Sequence, residues 1–380
     1  MNTFNNMMLD ISNTMFYGLL QESENTLVFS PLSVINLLWL YYNGSENLKD
    51  RNEYDLKSYN REFKDLNEKI CNIFESTHWY KKQSKGFVYI NNFVFYNKDL
   101  KLIDKEIFTS TNVKLQEFKQ GIKAKTLSKL IKRTVNKTTK WKINEILNIK
   151  NNVLTAKNLN TAQYKSVWKT FFSNVLVHEN FYIRENKIIK IQMMQKKDKM
   201  LVLDTNDFIA VGVSLNIANL KFVAVLPKNN KKLQDIHYEI NKDNIYGLHD
   251  MMAKAERNIV NLKMPKFTVE SKFDIFKEMK TEAIGNKAEF TDLLESFLKS
   301  ENDYEHVAMV DINEQGVKEK DSSSDMSDDD EEELKEIILN RPFLFYIVDS
   351  VFVNLGLSRS VYTPIFMGKY SGNNNEKNLL

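Results

Sequence analysis

The apolar residues of this chain change period along its length, and that change restricts the fold more than any other feature. Up to about residue 80 they recur mostly at helical spacing. Ser30-Pro31 marks a helix start, because a serine hydroxyl accepts from first-turn N–H groups and proline suits the first helical position. The run Leu32–Tyr42 that follows is apolar nearly all round, as in a buried helix. From Gly86 the residues turn aromatic and β-branched, which predicts two short strands at Phe87–Ile90 and Phe93–Tyr96. Leu127, Leu130, Ile131 and Val135 return to helical spacing, with Lys129, Lys132, Arg133 and Lys137 on the opposite side. Beyond Ala162 the chain reads mainly as strands, among them Leu201–Leu203, Phe208–Val211, Leu220–Leu226, Lys263–Val269, Val307–Ile312, Phe343–Val348 and Val361–Met367. Helices first and strands later, without β-α-β alternation, predict an α+β fold with large mixed sheets. No internal repeat and no Gly/Ser-rich linker divides it, so residues 1–380 are expected to form one domain.

The chemistry-bearing residues are sparse. There is no G-x-S-x-G elbow, no H-E-x-x-H and no phosphate-binding loop, and only 11 Gly and 5 Pro are present. The histidines (His78, His178, His237, His249 and His306) are scattered without metal-ligand spacing. The single cysteine, Cys71, lies on an apolar helical face; it excludes an internal disulfide and a thiolate-rich zinc site. No catalytic residue, metal or cofactor is assigned, and a binding or inhibitory protein is the starting expectation rather than an enzyme. The N-terminus lacks a basic start followed by an apolar block, and no segment reaches the length of a membrane span. The expectation is a cytoplasmic, monomeric protein, with secretion by another route left open.

The net charge of +3 conceals an uneven distribution. Asp321–Glu336 holds nine acidic residues and one lysine, a net −8 that leaves +11 on the rest. With almost nothing apolar to bury, this segment is expected to be an exposed, mobile loop between two strands.

A set of landmarks then gives the chain a resemblance. Phe29-Ser30-Pro31-Leu32-Ser33, the strand Asn160-Thr161-Ala162-Gln163-Tyr164-Lys165-Ser166-Val167-Trp168 with Phe172, and Gln192-Met193-Met194 come first. Leu262-Lys263-Met264-Pro265-Lys266-Phe267, His306 with Asp311-Ile312-Asn313-Glu314-Gln315-Gly316, Arg341-Pro342-Phe343-Leu344-Phe345 and Pro364-Ile365-Phe366-Met367-Gly368-Lys369 follow in order. Over nearly its whole length the chain resembles a serpin. It departs from the family pattern at Ser166, where glycine is usual, and at Gln192, where proline is usual. The spacing from Pro342 to Gly368 suggests an enlarged final hairpin around Asn354–Ser360.

The resemblance implies a metastable serine-type endopeptidase inhibitor. Its reactive-centre loop, here about residues 314–340, is cleaved and inserts as a new strand in the central sheet. Ser30, Ser33, Asn160 and His306 fall on the family's hydrogen-bonded cluster under the sheet opening, and Trp168 on the aromatic at its top. The hinge would comprise Glu314, Gly316, Val317, Glu319 and Asp321. Family members that inhibit carry small residues there, because alternate side chains become buried on insertion. Here Glu319 and Asp321 share a face with Val317, and burying an unpaired carboxylate costs several kcal/mol. A slowed hinge makes the chain a substrate instead of an inhibitor.

The family's customary loop length, counted from Glu314, places the scissile bond near Asp330 and Glu331, and Asp325-Met326-Ser327-Asp328 resembles a caspase-type tetrapeptide ending at Asp328. An Asp-specific protease would accept either, and a solvated acidic loop is the alternative. Ser327, before three aspartates, also has the context of an acidophilic-kinase site. Lys129, Lys132, Arg133 and Lys137 form either a polyanion-binding face or an ordinary solvated one. No specific nucleic-acid partner is expected. The competing function is a non-inhibitory serpin that uses the acidic loop or the basic helix as a binding scaffold.

Overall fold

A computed structural model of the chain describes residues 3–35, 87–98, 113–139, 156–165, 167–173, 175–216, 220–243, 246–274, 303–316, 334–354 and 360–372. Two sheets organise them. The five-stranded sheet runs in the order β10 (Phe267–Asp274), β11 (Asp303–Ile312), β4 (Ala156–Lys165), β2 (Phe87–Asn97) and β3 (Val113–Phe118). The nine-stranded sheet runs β1 (Leu27–Phe29), β14 (Ser360–Tyr370), β13 (Phe343–Asn354), β8 (Leu220–Pro227), β7 (Phe208–Ser214), β6 (Lys187–Asp204), β9 (Glu256–Pro265) and β12 (Lys335–Ile338), with β5 (Val177–Arg184) also paired to β6. Both sheets mix parallel and antiparallel joints, as the α+β reading expects.

Burial explains which segments read clearly as strands. Leu220–Leu226 and Phe343–Val348 are covered on both faces, so nearly every position is apolar. Helix α1 (Thr3–Glu22) packs its buried Phe16 against Phe29, His237 and Tyr346, at ring-centroid distances of 5.7, 5.0 and 6.0 Å. Helix α2 (Ala124–Thr138) lays Leu127, Ile131 and Val135 over Phe93, Phe95, Leu159 and Val307 of the five-stranded sheet. Its Lys129, Lys132, Arg133 and Lys137 side chains face solvent. Among the described residues no helix is long and apolar enough to cross a membrane.

Three expectations are corrected. Phe87–Ile90 and Phe93–Tyr96 are one continuous strand, because Asn91 and Asn92 between them are buried in the sheet instead of forming a turn. The strand-rich half also contains helices α3 (Leu233–Asn241) and α4 (Gly247–Ala253). The loop expected over 314–340 is shorter at both ends. Residues 313–316 are hydrogen-bonded into the fold, and Lys335–Ile338 is a strand pairing in parallel with β9. Buried Ile337 and Leu339 anchor that strand, while Glu336 stays on the surface beside Lys263 at 3.5 Å. Cys71 lies outside the described residues, as do 355–359 of the final hairpin, whose ends pair Asn354 with Ser360.

Candidate functional site

The joint between β4 and β11 gathers most of the sequence-selected residues. The two strands run parallel from Lys157 opposite Asp303 to Lys165 opposite Asp311. Alternation sends Asn160, Ala162 and Tyr164 to one face together with His306, Ala308, Val310 and Ile312, over the main core. Leu159 and Val307 point to the other face, beneath α2.

On the core face a polar network closes around Asn160, with every member buried. The chain is helical over 31–35, and Ser30 caps this turn by accepting the Ser33 N–H at 3.4 Å. That turn brings both serines beneath the joint. Ser33 Oγ donates to Asn160 Oδ1 at 2.7 Å, and Asn160 Nδ2 donates to the Ser33 carbonyl at 3.1 Å and to Asn92 Oδ1. The Ser30 N–H donates to His306 Nε2 at 3.1 Å, so the imidazole proton sits on Nδ1 and is given to Asn160 Oδ1. Ser30 Oγ donates to the Ile365 carbonyl at 2.8 Å, tying the network to β14. Burial pulls the His306 pKa down to about 3, so the ring is neutral, and a second proton would set an N–H against the Ser30 N–H.

At one end of the joint the chain leaves β11 through Asn313–Gly316 and docks on the segment after β4. Trp168 N–H donates to the Gln315 carbonyl at 3.0 Å, Phe172 N–H to the Glu314 carbonyl at 3.1 Å, and Trp168 Nε1 to the Asn313 carbonyl at 2.5 Å. Trp168 is fully buried, 4.9 Å from Phe172 and edge-on to Phe222 at 5.6 Å. Gly316 bridges in parallel with Trp168, and a Cβ there would fall 2.4 Å from Phe171 Cα, so only glycine fits. Glu314 pairs with Lys266 at 2.8 Å; burial raises its pKa, but the Lys266 ammonium and the backbone outweigh that and hold the carboxyl below its usual value. Asp311 approaches Lys165 at 3.9 Å and accepts from Thr268 and Asn313, each at 3.1 Å.

At the opposite end Lys157 Nζ lies 3.1 Å from Glu305 Oε2, with neither side chain exposed. Sequence reasoning missed this pair and Asn92, and it held Asn313 and Lys266 only as members of landmarks, without a role. The available signal was weak: a lysine and a glutamate each embedded in a strand, within three residues of a cluster member.

The structure thus brings Ser30, Ser33, Asn160 and His306 into one network and sets Trp168, Glu314 and Gly316 together at one end of the joint. The basic residues of α2 lie apart, on the solvent side of the helix. Val317, Glu319, Asp321, Asp328, Asp330 and Glu331 lie outside the described residues. Among the described residues no group of three or more His, Cys, Asp and Glu side chains is arranged to hold a metal.

The sequence model for Serpin (serine protease inhibitor) matches residues 7–370. The chain belongs to the serpin family. It is 25% identical over 238 residues to the human plasma serine protease inhibitor, covering 60% of this chain and 57% of that protein. It is 23% identical over 368 residues to the rat plasma protease C1 inhibitor, covering 92% and 66%. Corticosteroid-binding globulin of Pongo abelii is 25% identical over 232 residues, covering 59% and 56%. The matches therefore span between about half and two thirds of these relatives' lengths. A solved structure of native protease nexin-1 with heparin superposes with a TM-score of 0.72 over 96% of this chain and 99% of that one, at 18% identity. The serpin fold follows, and the named relatives of this serpin include protease inhibitors and a corticosteroid-binding globulin.

Proposed function

We propose that this serpin is a protease inhibitor of the loop-insertion kind whose charged hinge lets cleavage outrun trapping. The observation that carries this reading is the β4–β11 joint itself. It is a parallel joint flanked on both sides by antiparallel ones, β10–β11 and β2–β4. A strand turning back from Gly316 would run antiparallel to β11 and β4 alike, replacing one parallel joint by two antiparallel ones, the slightly more stable pairing. The segment 317–334 starts at that end of the joint and is longer than the 10 residues of either strand. Against insertion stand Glu319 and Asp321, whose burial on the Val317 face costs several kcal/mol.

The test is incubation with an Asp-specific protease and, separately, trypsin- and elastase-type enzymes, read on a denaturing gel and by thermal melting of the cleaved product. The expected result is cleavage near Asp328–Glu331 by the Asp-specific enzyme, mostly cleaved chain with little SDS-stable complex, and a large rise in melting temperature after cleavage. An SDS-stable complex near one-to-one stoichiometry would overturn the slowed hinge. Cleavage with no thermal shift would overturn insertion and favour the binding-scaffold reading, to which the similarity to corticosteroid-binding globulin lends support.

A second reading concerns α2, because Lys129, Lys132, Arg133 and Lys137 all face solvent while the apolar stripe faces the sheet. Such a row attracts a polyanion, and the similar protease nexin-1 structure was solved with heparin. Retention on immobilised heparin is expected to be salt-dependent and to drop in a K132A/R133A variant that melts like the parent chain. Retention unchanged in that variant excludes this face.

A further inference from the structure

The end of the β4–β11 joint remote from Gly316 is closed by a contact that the rest of the joint does not share. Lys157 on β4 and Glu305 on β11 are both wholly buried, and their charged atoms are 3.1 Å apart. Glu305 lies opposite Leu159, and Lys157 opposite Asp303, so the ion pair runs diagonally across the parallel joint. It shares its face with Leu159 and Val307 and, through the β2 register, with Phe93 and Phe95. Leu127, Ile131 and Val135 of α2 cover that face. Water is excluded there, so each charge depends on fixed partners inside the fold, of which the other is one. The Lys165–Asp311 pair at the hinge end is partly exposed and looser, at 3.9 Å.

Parting the two strands affects these ends unequally. A new strand in the joint moves β4 and β11 from neighbours, ~4.8 Å apart, to next-nearest neighbours about twice as far apart. At the hinge end the separated groups meet water. At the remote end the ammonium and the carboxylate would be pulled apart beneath α2 with no solvent to replace the lost partner. We propose that the Lys157–Glu305 pair is a latch: it halts parting of the joint part-way, so that a strand started at the hinge end advances slowly past Glu305. The latch rests on the insertion reading above and adds to it a residue pair that governs how far insertion goes.

The experiment compares the parent chain with K157M/E305L, which fills the same space without charge, and with the exchanged pair K157E/E305K, which restores an ion pair in reverse. Paired replacements are chosen because a single one would strand the other charge and endanger folding. The probe is an acetylated peptide of alternating Thr and Ala of about twelve residues, ~40 Å when extended. It is added in excess, and its incorporation is followed by native gel and by the rise in melting temperature. K157M/E305L is expected to take up the peptide about tenfold faster or more, with K157E/E305K staying near the parent rate. Uptake at one common rate in all three chains overturns the latch and leaves insertion standing. Equally fast uptake in both variants also overturns it, because the ion pair would then not be what resists. No uptake by any of the three overturns the insertion reading, and the latch with it.

Discussion

The two ends of the β4–β11 joint are held by the same kind of contact in opposite surroundings. At the hinge end Lys165–Asp311 and Lys266–Glu314 are partly exposed, so water takes over when either pair separates. Exposed pairs of this kind contribute ~0–1 kcal/mol. At the remote end Lys157–Glu305 is wholly buried beneath α2, and removing one partner of a buried pair costs about 3–5 kcal/mol. Between them lies the network around Asn160, uncharged and fully hydrogen-bonded. One seam therefore combines an end that opens at little cost with a middle and a far end that resist. A strand fed in from Gly316 meets increasing resistance as it advances.

The middle of the seam should be the most sensitive to a single change. Asn160 accepts from Ser33 Oγ and His306 Nδ1 and donates to Asn92 and the Ser33 carbonyl. Asn160→Ala leaves these buried groups without partners at about 1–3 kcal/mol each, with less than additive effect because neighbours relax. A loss of ~3–4 kcal/mol in denaturant unfolding is expected. A loss under ~1 kcal/mol would show the middle to be as easily opened as the hinge end, and the contrast would collapse.

The residues of this network were legible in the sequence, whereas the ion pair that completes the seam was not. Ser30, Asn160 and His306 stand in recognisable landmarks, and the change of apolar period announced the α+β architecture. Periodicity alone does not bring Asn160 to a residue 146 positions later; the resemblance implied that meeting, and nothing implied that Asn92 joins it. The strand reading stops short of Asn91-Asn92 because asparagine is depleted in strands when no buried partner exists. Lys157 and Glu305 escaped for the same reason: periodicity scores charge as solvent-facing, and only a cross-strand partner makes a buried lysine tolerable. β12 was hidden because its Lys335-Glu336 continues the charge run, while two isoleucines make too short a signal. Helix α3 reads poorly because His237 fills a core position. Its burial lowers the pKa to about 4, with Nε2 3.0 Å from the Asn13 carbonyl.

Those two histidines make the interior of the fold pH-sensitive in a direction that can be worked out. His306 and His237 have folded pKa values lowered to about 3 and about 4 from 6.5, chiefly through burial. Between the folded and unfolded values the unfolded chain binds more protons, so stability rises with pH and is lost as pH falls below 6.5. From pH 6.5 to 5 each histidine should remove about 1–2 kcal/mol, before carboxylates contribute much. Unfolding midpoints measured across that range in the parent chain and in His237→Asn would separate the share of His306. If the slope vanishes in His237→Asn, the middle of the seam is wetter than its geometry implies.

The hinge end should respond least. Lys266 meets Glu314 at 2.8 Å, but the two side chains are 36% and 25% exposed. Lys266→Met therefore removes a screened pair and leaves Glu314 in reach of water, for a loss of ~0.5–1 kcal/mol. At 1 M salt, where the Debye length is about 3 Å, the parent chain and the variant should converge. The docking of Asn313–Gly316 on Trp168–Phe172 rests on backbone and indole hydrogen bonds instead of this charge pair, so it should survive the change. Fluorescence of the buried Trp168, recorded against the other tryptophans in a Trp168→Phe background, reports on that docking. A salt-independent loss of several kcal/mol would make the hinge end as strongly held as the remote end, and entry of a strand would then be resisted from its first residue.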